Sequence, residues 1–267
     1  MLYQRITLPT GIPMDVYAAH VSQQINPNVQ RPGIVICPGG GYEHLSEREA
    51  EPIALLFLHM GFNCYVVWYH LAPNRFPLPQ QDVAGAVAWT RQHAAETHTA
   101  PDKIAVMGFS AGGHVAGSLG VWWPRAELWQ PFGLTPEDVK PNAMVLCYPV
   151  ITGGAFAHRG SFVNLTGESD SVAHTAYSLE EHVTSAAPPT FLWHTWTDGA
   201  VPVENTLMMA SALRKSGVTA EVHIFPQGGH GLALANEITT STAYPEQNVE
   251  ECTVWPELAA RFLKQIM

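Results

Sequence analysis

Charge is scarce in this chain. Asp, Glu, Lys and Arg make up 13% of its 267 residues, and basic side chains are outnumbered 13 to 23, for a net charge of −10. Binding to nucleic acid or an anionic membrane needs a basic surface, so both partner classes are excluded. Long apolar runs are missing as well, and no stretch would span a bilayer. The opening residues, Met1 to Pro9, have neither the apolar region nor the small-residue cleavage site of a secretory leader, and the chain is expected to stay in the cytosol. Cysteine is sparse: Cys37, Cys64, Cys147 and Cys252 lie far apart, the first three in or beside apolar runs. They read as reduced, buried thiols. Among the 13 histidines there is no His-Glu-x-x-His pattern, and no Cys-x-x-Cys pair occurs, so no metal is expected.

What the chain has in quantity is apolar residues, 46% of the total. That is ample for one large core, and 1–267 reads as a single α/β domain. Gly33 to Cys37 is a short, continuous, β-branched run, the pattern of a strand covered on both faces. Asn63–Tyr69, Lys103–Met107, Ala143–Tyr148, Thr190–His194 and Ala220–Phe225 read the same way, and residues 2–19 as two short strands about Pro9–Pro13. Helical periodicity marks Ser46–Met60, Gln80–Thr97 and Val203–Lys215, the first closed by Gly61 and the last by Gly217. Strands alternating with helices predict a mainly parallel central sheet with helices on both faces. Two irregular stretches, 122–142 and 149–189, leave strand or helix ends and are candidates for cap or pocket-lining segments.

Gly108-Phe-Ser-Ala-Gly112 follows one of these strands and precedes the small-residue stretch Ala111–Leu119. This is the Gly-x-Ser-x-Gly pattern of a nucleophile elbow, in which a tight strand-to-helix turn exposes the Ser110 hydroxyl. A serine hydroxyl needs a base to take its proton, and the base needs an acid to orient it, in the chain order serine, acid, histidine. His230, in Gln227-Gly-Gly-His-Gly231 after the last predicted strand, is the candidate base. Asp198, just past the strand ending at His194, is the candidate acid; Asp170 and Glu204 are weaker rivals, one in a polar loop and the other in a helix start. His114 falls one helical turn beyond the serine and is expected to pack inside.

The oxyanion that forms on a carbonyl under attack needs backbone donors already aimed at it. Ala111 and the run Gly39-Gly40-Gly41 are placed to supply them, with Gly40 and Gly41 as the loop donors. No Lys-Ser or Lys-Thr follows the run, so a phosphate-cradling role is not supported, and no cofactor is expected. Tyr42, His194 and Trp196 are expected to contact a small ester substrate.

Taken together, the pieces resemble the α/β-hydrolase superfamily, in the esterase branch related to hormone-sensitive lipase and bacterial acetyl esterases. Tyr69-His-Leu-Ala-Pro73, Pro77-Leu-Pro79 and Gln81-Asp-Val83 carry that likeness. Pro38–Tyr42, Gly108–His114, Pro188–His194, Val201–Asn205 and Gly228–Gly231 resemble, in this order, an acetylxylan-esterase-like or xylanase-B-like group of sugar esterases. Pro38 departs from the histidine that begins the glycine run in the wider branch, and Trp196 from the small or acidic residues usual before the acid. The resemblance implies deacetylation of sugars or short xylo-oligosaccharides through an acyl-enzyme. An amidase, formamidase or peptidase acting on another small substrate shares the same machinery, and a binding protein on this scaffold would need none of it. The 8 tryptophans and modest charge also leave room for self-association.

Overall fold

The computed structural model describes residues 1–267. Eight strands form one sheet in the order β1-β2-β4-β3-β5-β6-β7-β8. These are β1 (Leu2–Thr7), β2 (Pro13–Ala18), β3 (Arg31–Cys37), β4 (Asn63–Val67), β5 (Thr99–Phe109), β6 (Ala143–Cys147), β7 (Thr190–Thr195) and β8 (Ala220–Phe225). Strands β3 to β8 are mutually parallel, and the hairpin β1–β2 adds antiparallel to β4.

The pleat divides the core in two. Val35, Tyr65, Val106, Leu146 and Leu192 point to one face, beneath the helices Leu78–Gln92, Ala111–Trp122 and Glu204–Lys215. Their neighbours Ile34, Cys64, Met107, Val145 and Trp193 point to the other, against the helices Glu51–His59 and Trp255–Ile266. A strand covered on both faces has no polar side to show, which is why these runs are continuously apolar. All four cysteines are buried free thiols.

Several boundaries differ from the sequence expectation. The predicted helix over 46–60 is a short 3-10 turn, Glu47–Glu49, followed by the helix Glu51–His59 with a proline in its first turn. The helix predicted over 80–97 runs from Leu78 to Gln92 and then breaks at His93. Trp255–Ile266 is a strongly amphipathic helix beyond the elements that the sequence pattern predicts. Its apolar positions Trp255, Ala259, Phe262 and Leu263 follow helical spacing and are buried against the sheet. Trp255 stacks on Trp193 at 5.2 Å and meets Phe57 and Phe109, and its indole N–H donates to the Ala233 carbonyl at 2.8 Å. Thus the last helix reaches the loop that follows β8.

The two irregular segments behave differently. Residues 122–142 lie along the helix Leu78–Gln92: Gln81 Nε2 donates to the Leu128 carbonyl, and Arg91 reaches the carbonyls of Asp138 and Lys140. Residues 149–189 contain the helix Arg159–Thr166, which sits against the glycine run: Asn164 Nδ2 donates to the Gly41 carbonyl at 2.9 Å. No helix is long and apolar enough to cross a membrane.

Candidate active site

Strand β5 ends at Phe109 and the helix Ala111–Trp122 starts at once, leaving Ser110 alone in the turn. Its φ of 54° and ψ of −120° are strained for a residue with a side chain. Sequence chemistry permits the turn. A Cβ on Gly108 would strike the Gly112 carbonyl, and one on Gly112 would strike the carbonyls of Cys37 and Pro38. Only glycine at both positions lets the helix start approach β3 and β5 this closely.

The loop after β8 brings His230 back over this turn. Ser110 Oγ lies 2.7 Å from His230 Nε2, and His230 Nδ1 lies 2.7 Å from Asp198 Oδ2. A carboxylate can only accept, so Nδ1 carries the proton and Nε2 is free to accept from the serine. Asp198 stands in the loop after β7, where Oδ1 accepts the N–H groups of Ala200 and Val201 at 2.9 and 3.0 Å. Burial opposes its ionisation, but the donors from His194 and His230 and the Val201 N–H prevail and hold its carboxyl well below the usual carboxylate range. The rivals are placed elsewhere: Asp170 caps a short helix through the Val172 N–H, and Glu204 begins the helix Glu204–Lys215.

Across from the histidine, the glycine run turns after β3. Gly40 and Gly41 have φ of 130° and 65°, and a Cβ on Gly40 would strike the His44 carbonyl. Gly39 gives its N–H to Glu49, whereas the N–H groups of Gly40 and Gly41 donate to no protein acceptor. Ala111 opens its helix, where the first N–H groups have no intrahelical partner.

Two residues expected to touch substrate are buried. Tyr42 is 1% exposed: its φ of 59° turns the ring inward, where the hydroxyl donates to His114 Nδ1 at 2.8 Å. His194 is fully buried, with Nδ1 accepting from the Thr206 hydroxyl and Nε2 facing the Val201 carbonyl and Asp198. Trp196, by contrast, is 61% exposed at the head of the loop that carries Asp198. His114 is buried as expected, but it is a polar tie rather than plain packing. Its Nε2 donates to the Tyr177 carbonyl, and burial lowers its pKa to about 4.

Sequence reading missed His158, which precedes the helix Arg159–Thr166. It is half-buried, hydrogen-bonded to Ser161, and pushed below the ordinary histidine range by burial and by the charge of His230. No local pattern marks it. A surface hollow of about 850 Å³ lies between the helices Glu51–His59 and Trp255–Ile266 and includes none of these residues. No three His, Cys, Asp or Glu side chains converge in a way that would hold a metal ion.

The sequence pattern of one protein family, BD-FAE, matches residues 14–213, three-quarters of the chain and the stretch holding Ser110, Asp198 and the glycine run. The chain belongs to the BD-FAE family. Among its relatives is endo-1,4-beta-xylanase B of Butyrivibrio fibrisolvens, 36% identical over 79% of this chain and 34% of the relative. The acetylxylan esterase of Xylanibacter ruminicola is 30% identical over 83% of this chain and 44% of its own length. The chain therefore spans less than half of either. Solved structures match it end to end. An acetyl ester-xyloside bifunctional hydrolase from Caldicellulosiruptor lactoaceticus superposes with a TM-score of 0.82 at 36% identity, covering 97% of this chain and 89% of the other. A carboxylesterase from Lactobacillus plantarum gives 0.88 at 28% identity, covering 99% and 98%. The BD-FAE chain has the α/β-hydrolase fold.

Proposed function

We propose that this protein is a serine carboxylesterase that removes acetyl groups from O-acetylated sugars or short xylo-oligosaccharides. The observation that carries the reading is the hydrogen-bonded series Ser110–His230–Asp198 standing beside backbone N–H groups that have no acceptor.

The Ser110 oxygen attacks the acetyl carbonyl carbon while its proton passes to His230 Nε2. Asp198 steadies the imidazolium, and negative charge gathers on the former carbonyl oxygen. Ala111, Gly40 and Gly41 supply the donors for that oxygen, and such donors act most strongly where water is excluded. The carbon–oxygen bond to the sugar then breaks, and His230 returns the proton to the leaving hydroxyl. A water molecule, deprotonated by His230, attacks the acetyl-serine; its collapse releases acetate and restores Ser110. The proton transfers run between Ser110, His230 and Asp198, which already lie within hydrogen-bond reach of one another.

The sugar part of the reading is supported by the relatives: the names acetylxylan esterase, xylanase B and acetyl ester-xyloside hydrolase all concern acetylated or xylose-based carbohydrate. Trp196 offers an exposed ring on which a sugar face would lie. The test is acetate release from acetylated xylo-oligosaccharides and from an aryl acetate, with Ser110→Ala as control. Release from both, lost in the variant, supports the whole reading. Turnover of the aryl acetate alone keeps the esterase and rejects the sugar.

A further inference from the structure

Glu49 takes no part in the series Ser110–His230–Asp198, yet it is 3% exposed and both of its oxygens are engaged. Oε2 accepts the Gly39 N–H at 2.8 Å, and Oε1 accepts the Tyr148 hydroxyl at 2.6 Å. The Tyr148 oxygen in turn accepts the N–H of Ala233 at 2.9 Å. Ala233 lies on the His230 loop, and the Tyr148 ring meets the imidazole edge-on with centroids 5.2 Å apart. A single carboxylate therefore connects the glycine run to the loop that carries the base.

Three further observations fit this arrangement. Packing alone would be served by an apolar side chain, since a buried carboxylate is costly unless every lone pair is used. At position 39 a Cβ would lie 2.7 Å from Glu49 Oε2, so glycine there lets the carboxylate reach the backbone. Tyr148, just past β6, holds a φ of 36°, a left-handed backbone that a side-chain-bearing residue adopts only when its surroundings impose it. Because Glu49 occupies the Gly39 N–H, the next two peptides of the run are the ones left open.

We infer that Glu49 and Tyr148 are a positioning pair that locks the loop of the oxyanion donors to the loop of the base. The structural part of this inference stands on the contacts above; its kinetic part rests on the serine-esterase reading. The directions of the hydrogen bonds make it testable. Gly39 and Ala233 N–H can only donate, so the Tyr148 proton must go to Glu49. In Glu49→Gln the side chain keeps its shape but has one acceptor, and either Gly39 or Tyr148 must then face a donor. Tyr148→Phe keeps the ring against His230 and removes the hydroxyl.

The experiment measures amide hydrogen exchange at Gly39 and Ala233, together with kinetics on an aryl acetate, in Glu49→Gln, Tyr148→Phe and the double variant. A trifluoromethyl ketone, which adds to serine as an oxyanion, reports on the donors. Exchange is expected to quicken at Gly39 and Ala233 together, by about tenfold or more, in either single variant. We expect kcat to fall about 10- to 100-fold with KM changed less than about threefold, since misplaced donors act in the transition state. The ketone should weaken in step with kcat/KM, and the double variant should be no worse than about twofold below the poorer single. A merely structural role predicts otherwise: exchange quickened only next to each substitution, or kcat within about twofold of the parent. Either result overturns the inference. Tyr148→Phe carries the test should Glu49→Gln not fold. Absence of parent activity on aryl acetates would instead sink the esterase reading, and the paired exchange response would still decide whether the loops are locked.

Discussion

His194 Nε2 lies 3.2 Å from the same Asp198 oxygen that His230 approaches at 2.7 Å. Two imidazoles thus converge on one carboxylate oxygen, while backbone N–H groups saturate the other. The inner histidine is held by Thr206 and Val201 and has no room to turn. Its place is behind the acid, where it keeps Asp198 ionised and aimed at His230. For a carboxyl lowered in this way, stability is lost only as pH falls below the ordinary carboxylate range, so neutral conditions leave it intact.

Asp198→Asn should therefore leave the fold in place and remove most of the activity. The amide presents an N–H toward His230 Nδ1, which favours the wrong tautomer. A drop of about 10⁴-fold in kcat is expected, the scale found when a triad acid is amidated. Ser110→Ala should abolish turnover to a similar or greater extent. Kinetics on an aryl acetate, with circular dichroism to confirm the fold, check both.

Trp196→Ala separates the sugar from the ester. Because Trp196 is 61% exposed, its removal should change stability by less than about 0.5 kcal/mol. If a sugar stacks there, KM for acetylated xylo-oligosaccharides rises about 3- to 10-fold while the aryl acetate is unaffected. Equal KM values for parent and variant on the oligosaccharide would remove Trp196 from the substrate site.

Gly112→Ala tests the elbow itself. The added methyl meets the carbonyls of Cys37 and Pro38, which are backbone atoms of β3 and the start of the glycine run. Neither can move without shifting the sheet or the oxyanion loop. A loss of about 3 kcal/mol or more is expected in denaturant unfolding, at the severe end for a small-to-large change.

His114 should make the protein acid-sensitive. Its Nδ1 accepts from Tyr42 and its Nε2 donates to Tyr177, so a second ring proton would displace the Tyr42 hydroxyl. The folded pKa of about 4 lies below the 6.5 of the unfolded chain, which means the unfolded state binds the extra proton first. Stability is then full above pH 6.5 and declines as pH falls toward 4, by about 3 kcal/mol from this group. His114→Asn should flatten that slope, as measured by urea unfolding between pH 4 and 7.

Much of this protein was legible in local sequence. Gly108-x-Ser110-x-Gly112 after an apolar run specifies a turn that only glycines allow, and the strand ends before Asp198 and His230 place both at one edge of a parallel sheet. Continuous β-branched runs announced a sheet covered on both faces, and the structure has one. That same continuity hid the direction of side chains. Every residue of β7 is buried, so no alternation marked His194 as turned inward, behind Asp198. The inward turn of Tyr42 depends on a positive φ and on a histidine 72 residues away. The bond between Glu49 and Tyr148 crosses 99 residues and joins two loops with no shared motif. Sequence by itself determined the strand–helix order and where the candidate site residues fall in it, because both follow from local propensity and turn sterics. The tertiary structure alone decided which polar groups support them, because that depends on donors and acceptors brought together only when the sheet closes over its core.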